Sequence, residues 1–501
     1  EKAKLRKMKG TPVVLFPVGR EGGRLRSFQD AISKNTIVSD FPTYECNECN
    51  IATIYSSCEL CGKKTTWKKV CVKCKRTTLE DKCCGTYTRG FRRQRIDINH
   101  YFDSAIKALN IPAPQLVKGV RGTTNKDKIV EHISKGILRA VHKLAVNKDG
   151  TIRYDMTEMG LTHFKPKEIG TAINKLKELG YEKDIFGELL ENDEQLLEIL
   201  PQDVIMPSCP ETPDETADDI FMRTCNFIDD LLEKHYHLPK YYNVKTKEDL
   251  IGHLIIGLAP HTSAGIIGRI IGFSKTLGCF AHPYWHAAQR RNFDGDETCA
   301  LLVLDAFLNF SRKYLPDRRG SRSMDAPLVL TTVLVPSEVD TEVHGMDITD
   351  KYPLDFYRAA EQCKYPWDVK VLQVKDVLGK KEQYEGFKYT HETNDLNAGV
   401  RLSAYKFIPT MIEKLDGQLD LAARIRASDL DGVAALVIDK HFIRDIKGNL
   451  RKFTTQQVRC VKCNAKYRRP PLSGVCTICK GKLLFTIAEG SVKKYLEATM
   501  K

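Results

Sequence analysis

Residues 290–302 read RRNFDGDETCALL, and the surrounding fold must accommodate the clustered acids of this stretch next to its apolar run. Three acids, Asp294, Asp296 and Glu297, fall within four positions, and an apolar run follows at once. Like charges at this spacing repel one another, so a solvated loop tolerates them but a loop entering a protein core does not. The acids therefore either bind a cation that neutralises them or line a wet cleft.

The spacing of the polar side chains favours a metal loop. In extended backbone, residues two apart project to the same side, which would bring Asn292, Asp294 and Asp296 together. Gly295 gives the chain freedom to bend around a cation, and oxygen ligands of this type suit Mg²⁺ or Mn²⁺. A calcium EF-hand needs its glycine one residue after the third ligand, so that template fails. We expect Asp294 and Asp296 to hold the catalytic metals, with Asn292 assisting.

Basic and imidazole side chains precede the acidic loop. Three histidines and three arginines share the stretch 261–291: His261, Arg269, His282, His286, Arg290 and Arg291. A single histidine is more often structural than catalytic, but this set beside an acidic metal loop is typical of a site for a highly phosphorylated substrate. The chemistry indicated is nucleotidyl transfer by two metals, one activating a 3′-hydroxyl and one stabilising the pyrophosphate leaving group.

Twelve of the 17 cysteines form three compact clusters. The first and last clusters are paired C-x-x-C knuckles, the usual arrangement of four thiolates around one zinc ion. The middle cluster ends in adjacent cysteines, which either both reach one ion or leave one ligand to come from elsewhere. Four thiolates leave no open coordination position, so we expect three structural zinc ions that support folding. The ligands are Cys46, Cys49, Cys58, Cys61; Cys71, Cys74, Cys83, Cys84; Cys460, Cys463, Cys476 and Cys479.

Composition indicates a globular protein of several domains with a polyanionic partner. The chain has 501 residues and a formal net charge of +14, which favours nucleic acid as the partner. No apolar run approaches the roughly 18 residues that a membrane span needs, so we expect no membrane partner. Clustered cysteines are typical of metal sites in a reducing cytosol. The first residue is Glu1 rather than methionine, which suggests a fragment of a longer chain.

Apolar periodicity predicts the coarse secondary structure. Residues 126–200 show apolar side chains three and four apart, which predicts helices. The run TCALLVLDAFLNFSRKYL, residues 298–315, is expected to form a mostly buried helix behind the acidic loop.

The motif NFDGD, residues 292–296, resembles the metal loop of two-barrel polymerases, the superfamily of multisubunit RNA polymerases. That superfamily's large subunit has aspartate at three alternate positions, whereas this chain has Asn292 at the first. With this asparagine the motif is similar to the archaeal D-family DNA polymerase (DNA polymerase II) large subunit, in its C-terminal catalytic part. The same resemblance extends to KGVRGTT (118–124), THFKPKEIG (162–170), GLAPHTSAGIIGRIIGF (257–273), AHPYWHAAQRRNFDGDE (281–297) and KFTTQQVRCVKCNAKYRRPPL (452–472).

The resemblance spans essentially the whole chain and implies an α+β multidomain fold. Two double-psi β-barrels would face each other across the active site, accompanied by zinc ribbons and helical insertions. The expected domains are 1–45 (part of the first barrel), 46–90 (two zinc-binding modules), 91–125 (a basic strand and helix joining the barrel), 126–205 (a helical accessory domain), 206–350 (the second barrel with the metal loop), 351–455 (a mixed α/β connecting region), 456–485 (a C-terminal zinc ribbon) and 486–501 (the start of a C-terminal helix).

The function that the resemblance implies is replicative, DNA-templated DNA synthesis, in which dNTPs extend a primer 3′-hydroxyl and release pyrophosphate. It also implies lysines of the first barrel that contact the nucleotide or primer end; Lys4 and Lys7 are the best matches, with Lys118 and Arg121 in reserve. The implied partners are primer–template DNA, a small exonuclease subunit and the sliding clamp, in the cytoplasm of an archaeal cell.

Two other interpretations stay open at this point. One is RNA synthesis by a relative of the same superfamily, against which Asn292 and its flanking sequence count. The other is a non-catalytic, zinc-stabilised scaffold that binds nucleic acid, in which the acids form only a solvated turn. That scaffold would leave the histidine–arginine cluster beside the acids unexplained.

Overall fold

The computed structural model describes residues 14–260, 262, 264–310, 328–391 and 395–500, together with the backbone of residues 4–5. Two of the predicted functional residues, Lys7 and His261, lie outside the described residues. Lys4 is described by its backbone, which pairs with Asp155 in a short antiparallel bridge.

The elements up to residue 110 are mainly short strands. They are β1 (Lys4–Leu5), α1 (Phe28–Ile32), β2 (Thr36–Cys46), β3 (Ile51–Thr53), β4 (Thr66–Val70), β5 (Thr77–Thr78), β6 (Lys82–Cys83), β7 (Thr86–Tyr87), β8 (Phe91–Asp97) and α2 (Ile98–Leu109). β2 is the longest of them, and it pairs with β3, β4 and β8.

The middle of the chain alternates strands and helices. Its elements are α3 (Ile133–Val141), β9 (Tyr154–Gly160), β10 (His163–Phe164), α4 (Pro166–Ile169), α5 (Ile173–Glu178), β11 (Leu197–Glu198), β12 (Asp203–Pro207), α6 (Ala217–Asp230), β13 (Leu254–Leu258), β14 (Ala264–Ser274), β15 (Gly278–Ala281), α7 (Pro283–Ala288), β16 (Glu297–Leu302) and α8 (Val303–Asn309). A single π-helical turn, Leu231–His235, continues α6.

The remaining elements are mainly helical. They are β17 (Val329–Thr331), α9 (Leu354–Glu361), α10 (Val374–Val377), α11 (Met411–Arg424), α12 (Leu430–Leu436), α13 (Ile443–Thr455), β18 (Val458–Cys460), β19 (Lys466–Tyr467), β20 (Leu483–Phe485), α14 (Glu489–Lys493) and α15 (Leu496–Met500). The chain folds into two compact units, residues 1–17 with 38–402 and residues 18–37 with 403–501. The expected mixed α/β multidomain class is confirmed.

Among the described residues of the first unit, six strands close into a barrel. Around the barrel they run β9, β15, β12, β14, β13 and β16, and β16 pairs back onto β9. The β9–β15 and β12–β14 pairs are parallel, and the other neighbouring pairs are antiparallel. Isoleucine-rich β13 and β14 suit this buried position because β-branched side chains pack well on a pleated surface. Closure leaves the barrel without exposed sheet edges.

One tryptophan fixes helix α7 against the barrel. Trp285 is fully buried, and its Nε1 donates a hydrogen bond to the carbonyl of Ile267 at 3.3 Å. A Cβ atom added at Gly257 would lie 2.2 Å from the indole ring, and one at Gly268 would lie 2.8 Å from it. The two glycines therefore allow α7 to approach β13 and β14 closely. Because α7 leads directly into the acidic loop, this packing also fixes where the loop begins.

The helical prediction for residues 126–205 is wrong for much of the segment. All of it is described, and it contains the three helices α3 to α5 but also the four strands β9 to β12. β9 is stabilised by pairing with β15 and β16, which come more than a hundred residues later in the chain; a local pattern does not show such pairing. The barrel thus begins in β9, well before residue 206, where the sequence placed its start.

The predicted helix over residues 298–315 is only partly correct within residues 298–310; residues 311–315 lie outside the described residues. Its first residues, TCALL, belong to β16, which pairs with both β13 and β9, and α8 begins only at Val303. A short apolar run suits a buried strand as well as a buried helix, so periodicity could not separate the two.

The second unit has its own small core. Phe442, Tyr495 and Ala498 are buried together, and the rings of Phe442 and Tyr495 stack with centroids 4.9 Å apart. In the same unit, β18 pairs antiparallel with β19 and β20 around the third cysteine cluster. None of the helices in the described part of the chain combines the length and apolar character that crossing a membrane requires.

Candidate active site

The acidic loop connects α7 to the barrel strand β16. Its backbone is bent rather than extended, because Phe293 and Gly295 both adopt positive φ angles, 52° and 109°. The expectation that an extended loop brings alternate residues to one side is therefore wrong in its backbone geometry. Gly295 supplies the conformation that other residues rarely adopt, and the loop then enters β16 at Glu297.

The loop brings two carboxylates to a third one from the barrel. Ligand oxygens of Asp294, Asp296 and Glu158 all lie within 4.8 Å of one another. Asp294 is exposed and Asp296 is half-buried, whereas the Glu158 side chain is completely buried. Three carboxylates this close repel one another unless a cation lies between them. Their oxygen atoms are the ligands that Mg²⁺ and Mn²⁺ prefer, so the donor set fits a divalent cation.

Four contacts at Glu158 and its neighbour Gly160 join strand β9 to the loop and to α7. Its Oε1 accepts a hydrogen bond from the backbone N–H of Phe293 at 2.8 Å, and its own N–H donates to the carbonyl of Asp296 at 3.0 Å. Two residues along β9, the N–H of Gly160 donates to the Phe293 carbonyl at 3.3 Å. The fourth contact comes from His286 of α7, whose Nδ1 lies 3.1 Å from Glu158 Oε2. The loop is therefore held by strand β9 on one side and by α7 on the other.

The histidines of α7 are part of this support. His286 is fully buried, and its Nε2 donates to the carbonyl of Met159 at 3.1 Å. His282 caps the N-terminus of α7 by accepting the N–H of Tyr284 at Nδ1, 3.1 Å away. Complete burial, with His286 and His163 nearby, lowers the pKa of His282 to about 3, so this ring is neutral at physiological pH. His286 contacts strand β9 and His282 caps α7, so both rings support the elements that hold the loop.

The arginines divide into two groups. Arg291 lies beside the acids, with Nη1 4.0 Å from Asp296 Oδ2, and Arg290 is exposed at the start of the loop. Arg269 instead forms two 2.8 Å hydrogen bonds with Asp203 and one of 2.9 Å with the carbonyl of Leu179. The structure thus places Arg291 beside the acids and Arg290 at the start of the same loop, while Arg269 joins β14 to the start of β12.

The other predicted residues described in the structure are not members of the carboxylate cluster. Asn292 is exposed. Lys118 and Arg121 are exposed in the segment between α2 and α3. Sequence reasoning missed Glu158, which is one of two acids, with Asp155, in the run YDMTEMG; that run had been interpreted as part of a helical region.

The cysteines of each cluster converge as metal ligands do. In the described structure each set of four offers sulfur atoms within 4.8 Å of one another. Individual Sγ–Sγ distances are 3.6 Å for Cys46–Cys61, 3.4 Å for Cys460–Cys479 and 3.5 Å for Cys463–Cys476. A tetrahedral ion with zinc–sulfur bonds of about 2.3 Å separates its sulfurs by about 3.8 Å. All three clusters are therefore compatible with zinc.

The irregular middle cluster achieves convergence through one unusual residue. Cys84 adopts a positive φ of 51°, and its Sγ lies 3.7 Å from that of Cys83, while Cys83 lies 3.8 Å from Cys74. The left-handed conformation of Cys84 itself turns the two adjacent thiols toward one point. In the knuckles, backbone N–H groups stabilise thiolates: the N–H of Cys74 lowers the pKa of Cys71 to about 6, and the N–H of Cys49 lowers that of Cys46 to about 7.

Family comparison gives two matches, separated by residues 81–109. Residues 110–414 match the family described as DNA polymerase II large subunit DP2, catalytic domain. Residues 1–80 match the central domain of the same subunit. The carboxylate cluster and the whole barrel fall inside the catalytic-domain match.

Individual relatives cover the chain from end to end. The DNA polymerase II large subunit of Archaeoglobus fulgidus is 47% identical over 510 residues, covering 99% of this chain and 44% of the relative. That of Nanoarchaeum equitans is 46% identical over 544 residues, covering 100% of this chain and 44% of the relative. That of Pyrococcus furiosus is 46% identical over 510 residues, covering 99% and 40%. The chain thus spans less than half the length of these relatives, and it belongs to the family of archaeal DNA polymerase II large subunits.

Proposed function

We propose that this chain carries the polymerising centre of a replicative, DNA-templated DNA polymerase, which extends a primer 3′-hydroxyl with dNTPs. The observation that carries the proposal is the convergence of Asp294, Asp296 and the buried Glu158 on a barrel that lies within the catalytic-domain match. An acidic cluster of this kind, beside two arginines, is the donor set that phosphoryl-transfer sites use.

Each residue of the centre has a distinct role in the proposal. Asp294 and Asp296 hold the divalent cations, Mg²⁺ or Mn²⁺, and Glu158 completes the oxygen set while fixing the loop through Phe293. The cations supply activation of the primer hydroxyl and neutralisation of the pyrophosphate leaving group. Arg290 and Arg291 contact phosphate oxygens, for which planar guanidinium groups are well suited. Asn292 remains a candidate assisting ligand.

The proposal extends to the rest of the family's architecture. The closed barrel, with two parallel pairs among its six described strands, agrees with a double-psi β-barrel. We propose that Lys4 and Lys7, with Lys118 and Arg121 in reserve, contact the incoming nucleotide or the primer end; the backbone of Lys4 pairs with β9 of this barrel. The three cysteine clusters would each hold one structural zinc ion.

The proposed partners follow from the same family. They are primer–template DNA, a smaller exonuclease subunit and the sliding clamp, within the archaeal cytoplasm. The formal charge of +14 supports the polyanionic partner among them.

Primer extension with Asp294→Asn and Asp296→Asn tests the proposal. The assay uses the full-length subunit with its small partner, Mg²⁺, primed DNA and dNTPs. Each substitution keeps the side-chain shape but removes a ligand charge worth several kcal/mol, so we expect losses of about 10³-fold in synthesis. DNA affinity, measured without dNTPs, should stay within a few-fold.

Asp355→Asn is the matched control, because Asp355 is an exposed carboxylate in helix α9 outside the cluster. Undiminished synthesis by both loop variants would refute the proposal and favour the scaffold interpretation. Efficient use of ribonucleotides in place of dNTPs would favour an RNA-synthesising relative.

A further inference from the structure

A cavity of about 400 Å³ opens in the first unit beside the acidic loop, which we call the metal loop from here on because of its proposed function. Its walls come from the end of β9 and the following residues, from Phe293 of the loop, and from residues 346–352 and 387–391. The volume lies in the range of small-molecule sites, and neither the metal chemistry nor the family match assigns it a role. We call it the aromatic pocket because of its lining.

Flat rings line the pocket from several sides. Phe293, Tyr352 and Tyr389 are half-buried, so each keeps part of its ring open to the pocket. The ring of His163 packs against Tyr389 with centroids 4.7 Å apart, and burial lowers the pKa of His163 to about 4, which keeps this wall neutral. Neutral aromatic walls favour a flat π-ligand, which gains stacking contacts on its faces.

The rings are held in place before any ligand arrives. Tyr352 donates from its hydroxyl to Asp347 at 2.9 Å and stacks on Phe356 with centroids 4.6 Å apart. The ring of Phe293 packs over Gly160, where an added Cβ atom would come within 3.2 Å. Ordered walls of this kind reduce the entropy lost on binding.

Polar groups occupy the edges and the mouth of the pocket. Thr349 and Thr390 are among the lining residues. The Thr349 hydroxyl donates to the Lys351 carbonyl at 2.8 Å and the Thr390 Oγ1 lies 2.7 Å from His391 Nδ1, and each hydroxyl oxygen retains a lone pair that can accept a further hydrogen bond. Lys388 is exposed at the pocket, with Nζ 3.9 Å from Asp350. A base edge would meet the hydroxyls, while a backbone phosphate would meet the lysine.

The pocket is one residue away from the metal ligands. Phe293 lies between Asn292 and Asp294 in sequence, and its backbone N–H and carbonyl are both bonded to β9. When the sugar-phosphate of one nucleotide lies at the carboxylates, the adjacent nucleotides of the same strand are therefore close enough to reach this pocket. A base in a duplex is stacked on both faces by its neighbours, so a base that stacks on the pocket rings must first leave the duplex.

We propose that the aromatic pocket receives one unpaired nucleobase of the DNA strand engaged at the metal loop. This inference rests on the proposed function and adds to it a site for single-stranded DNA.

Two substitutions test the pocket from opposite directions. Tyr352→Ser removes a stacking wall, and Thr349→Trp fills the space without removing one. Tyr357→Ser is the control, because Tyr357 is a neighbouring exposed tyrosine that does not line the pocket. The measurement is the affinity of the full-length subunit, with its small partner, for primed DNA that has a single-stranded template, with one abasic position moved along the strands.

We expect one abasic position to weaken binding by the wild type by about 5- to 150-fold, the range for loss of one stacked base. Both pocket variants should bind intact DNA more weakly than the wild type by a similar factor. Their affinity should not fall further when the DNA carries the abasic nucleotide at that position. 2-Aminopurine placed there should be quenched by the wild type and by Tyr357→Ser but not by the pocket variants.

Equal affinity of the pocket variants and the control would overturn the proposal. The proposal would also be overturned if, at every abasic position, the loss of DNA affinity caused by the abasic site simply added to the loss caused by the substitution. Such a failure would leave the dependence of synthesis on Asp294 and Asp296 intact, whereas failure of the proposed function would appear as synthesis that survives the loss of those two carboxylates.

Discussion

Glu158 combines two tasks that are usually given to different residues. Its carboxylate faces the two loop aspartates, and the same carboxylate accepts the backbone N–H of Phe293. A buried carboxylate is costly unless its charge is compensated and its oxygens are hydrogen-bonded. The Phe293 N–H supplies part of that compensation, and a cation at the cluster would supply the rest.

Glu158→Gln and Glu158→Ala should separate these two tasks. Glutamine keeps an oxygen that accepts the Phe293 N–H but loses the charge, so we expect a roughly tenfold or larger loss of Mn²⁺ affinity, corresponding to about 1.4 kcal/mol, with little loss of stability. Alanine leaves that buried N–H without an acceptor, which should cost about 1–3 kcal/mol in the free energy of unfolding as well. Mn²⁺ titration followed by electron paramagnetic resonance, and urea unfolding, measure the two effects.

The control is Glu182→Gln, since Glu182 is exposed and outside the cluster. Unchanged Mn²⁺ affinity in Glu158→Gln would show that Glu158 is not needed for cation binding and acts only on the loop backbone.

At the residue scale the sequence predicted the loop ligands but not their buried partner. Asp294 and Asp296 are recognisable because they are neighbours in a short acidic motif. Glu158 is 135 residues from the Phe293 N–H that it accepts, so only the folded barrel brings it to the loop. His286 was noticed as one of several histidines, but its position behind Glu158 depends on the packing of α7.

At the scale of elements, the position of α7 depends on how closely two barrel strands let it approach. The indole of Trp285 occupies space that side chains at Gly257 and Gly268 would fill. Interiors are close-packed, so added volume here must displace the ring or the helix.

Gly257→Ala should therefore destabilise the barrel by about 1–3 kcal/mol, the usual cost of overpacking. It should also reduce Mn²⁺ binding, because α7 carries His286 and leads into the metal loop. Urea unfolding monitored by near-ultraviolet circular dichroism measures the first effect. Gly345→Ala is the comparison, since a Cβ atom there meets nothing within 4 Å. If both variants unfold at the same urea concentration, close packing at Gly257 does not limit stability.

Element prediction succeeded where the constraint is local and failed where it is not. The C-x-x-C knuckles carry their geometry in their own spacing, and the cysteines that they contain do converge. By contrast, β9 and β16 were read as helical because their apolar residues suit either element, and their pairing partners lie elsewhere in the chain.

At the scale of the whole molecule, the barrel and the cysteine modules are stabilised differently. The barrel unites buried apolar side chains from six described strands. The first two cysteine clusters are joined by strands of two to five residues after β2, with many exposed side chains between them. Modules with so little core depend on bound metal for their fold.

Metal analysis of the purified complex should accordingly find three zinc ions in the region that this chain covers. Cys84→Ser should reduce that number by one. Chelation should remove zinc and loosen residues 46–90 to proteolysis while the barrel stays folded, because zinc supplies folding free energy to the modules alone. Mass spectrometry of metal content and limited proteolysis are the measurements. Ser57→Ala, a substitution between the ligands of the first cluster, is the control. An unaltered zinc content in Cys84→Ser would mean that the middle cluster takes its fourth ligand from another residue.

The closure of the barrel by β9 and β16 also governs the order in which a ribosome can complete this site. Glu158 is synthesised long before Asp294 and Asp296, and it is joined to them only when β16 pairs with β9. Chains emerge from the N-terminus and domains fold as units during synthesis. A nascent chain that has not yet released β16 therefore keeps Glu158 apart from Asp294 and Asp296, and the proposed metal-binding centre forms only when the last of the six described barrel strands pairs with β9.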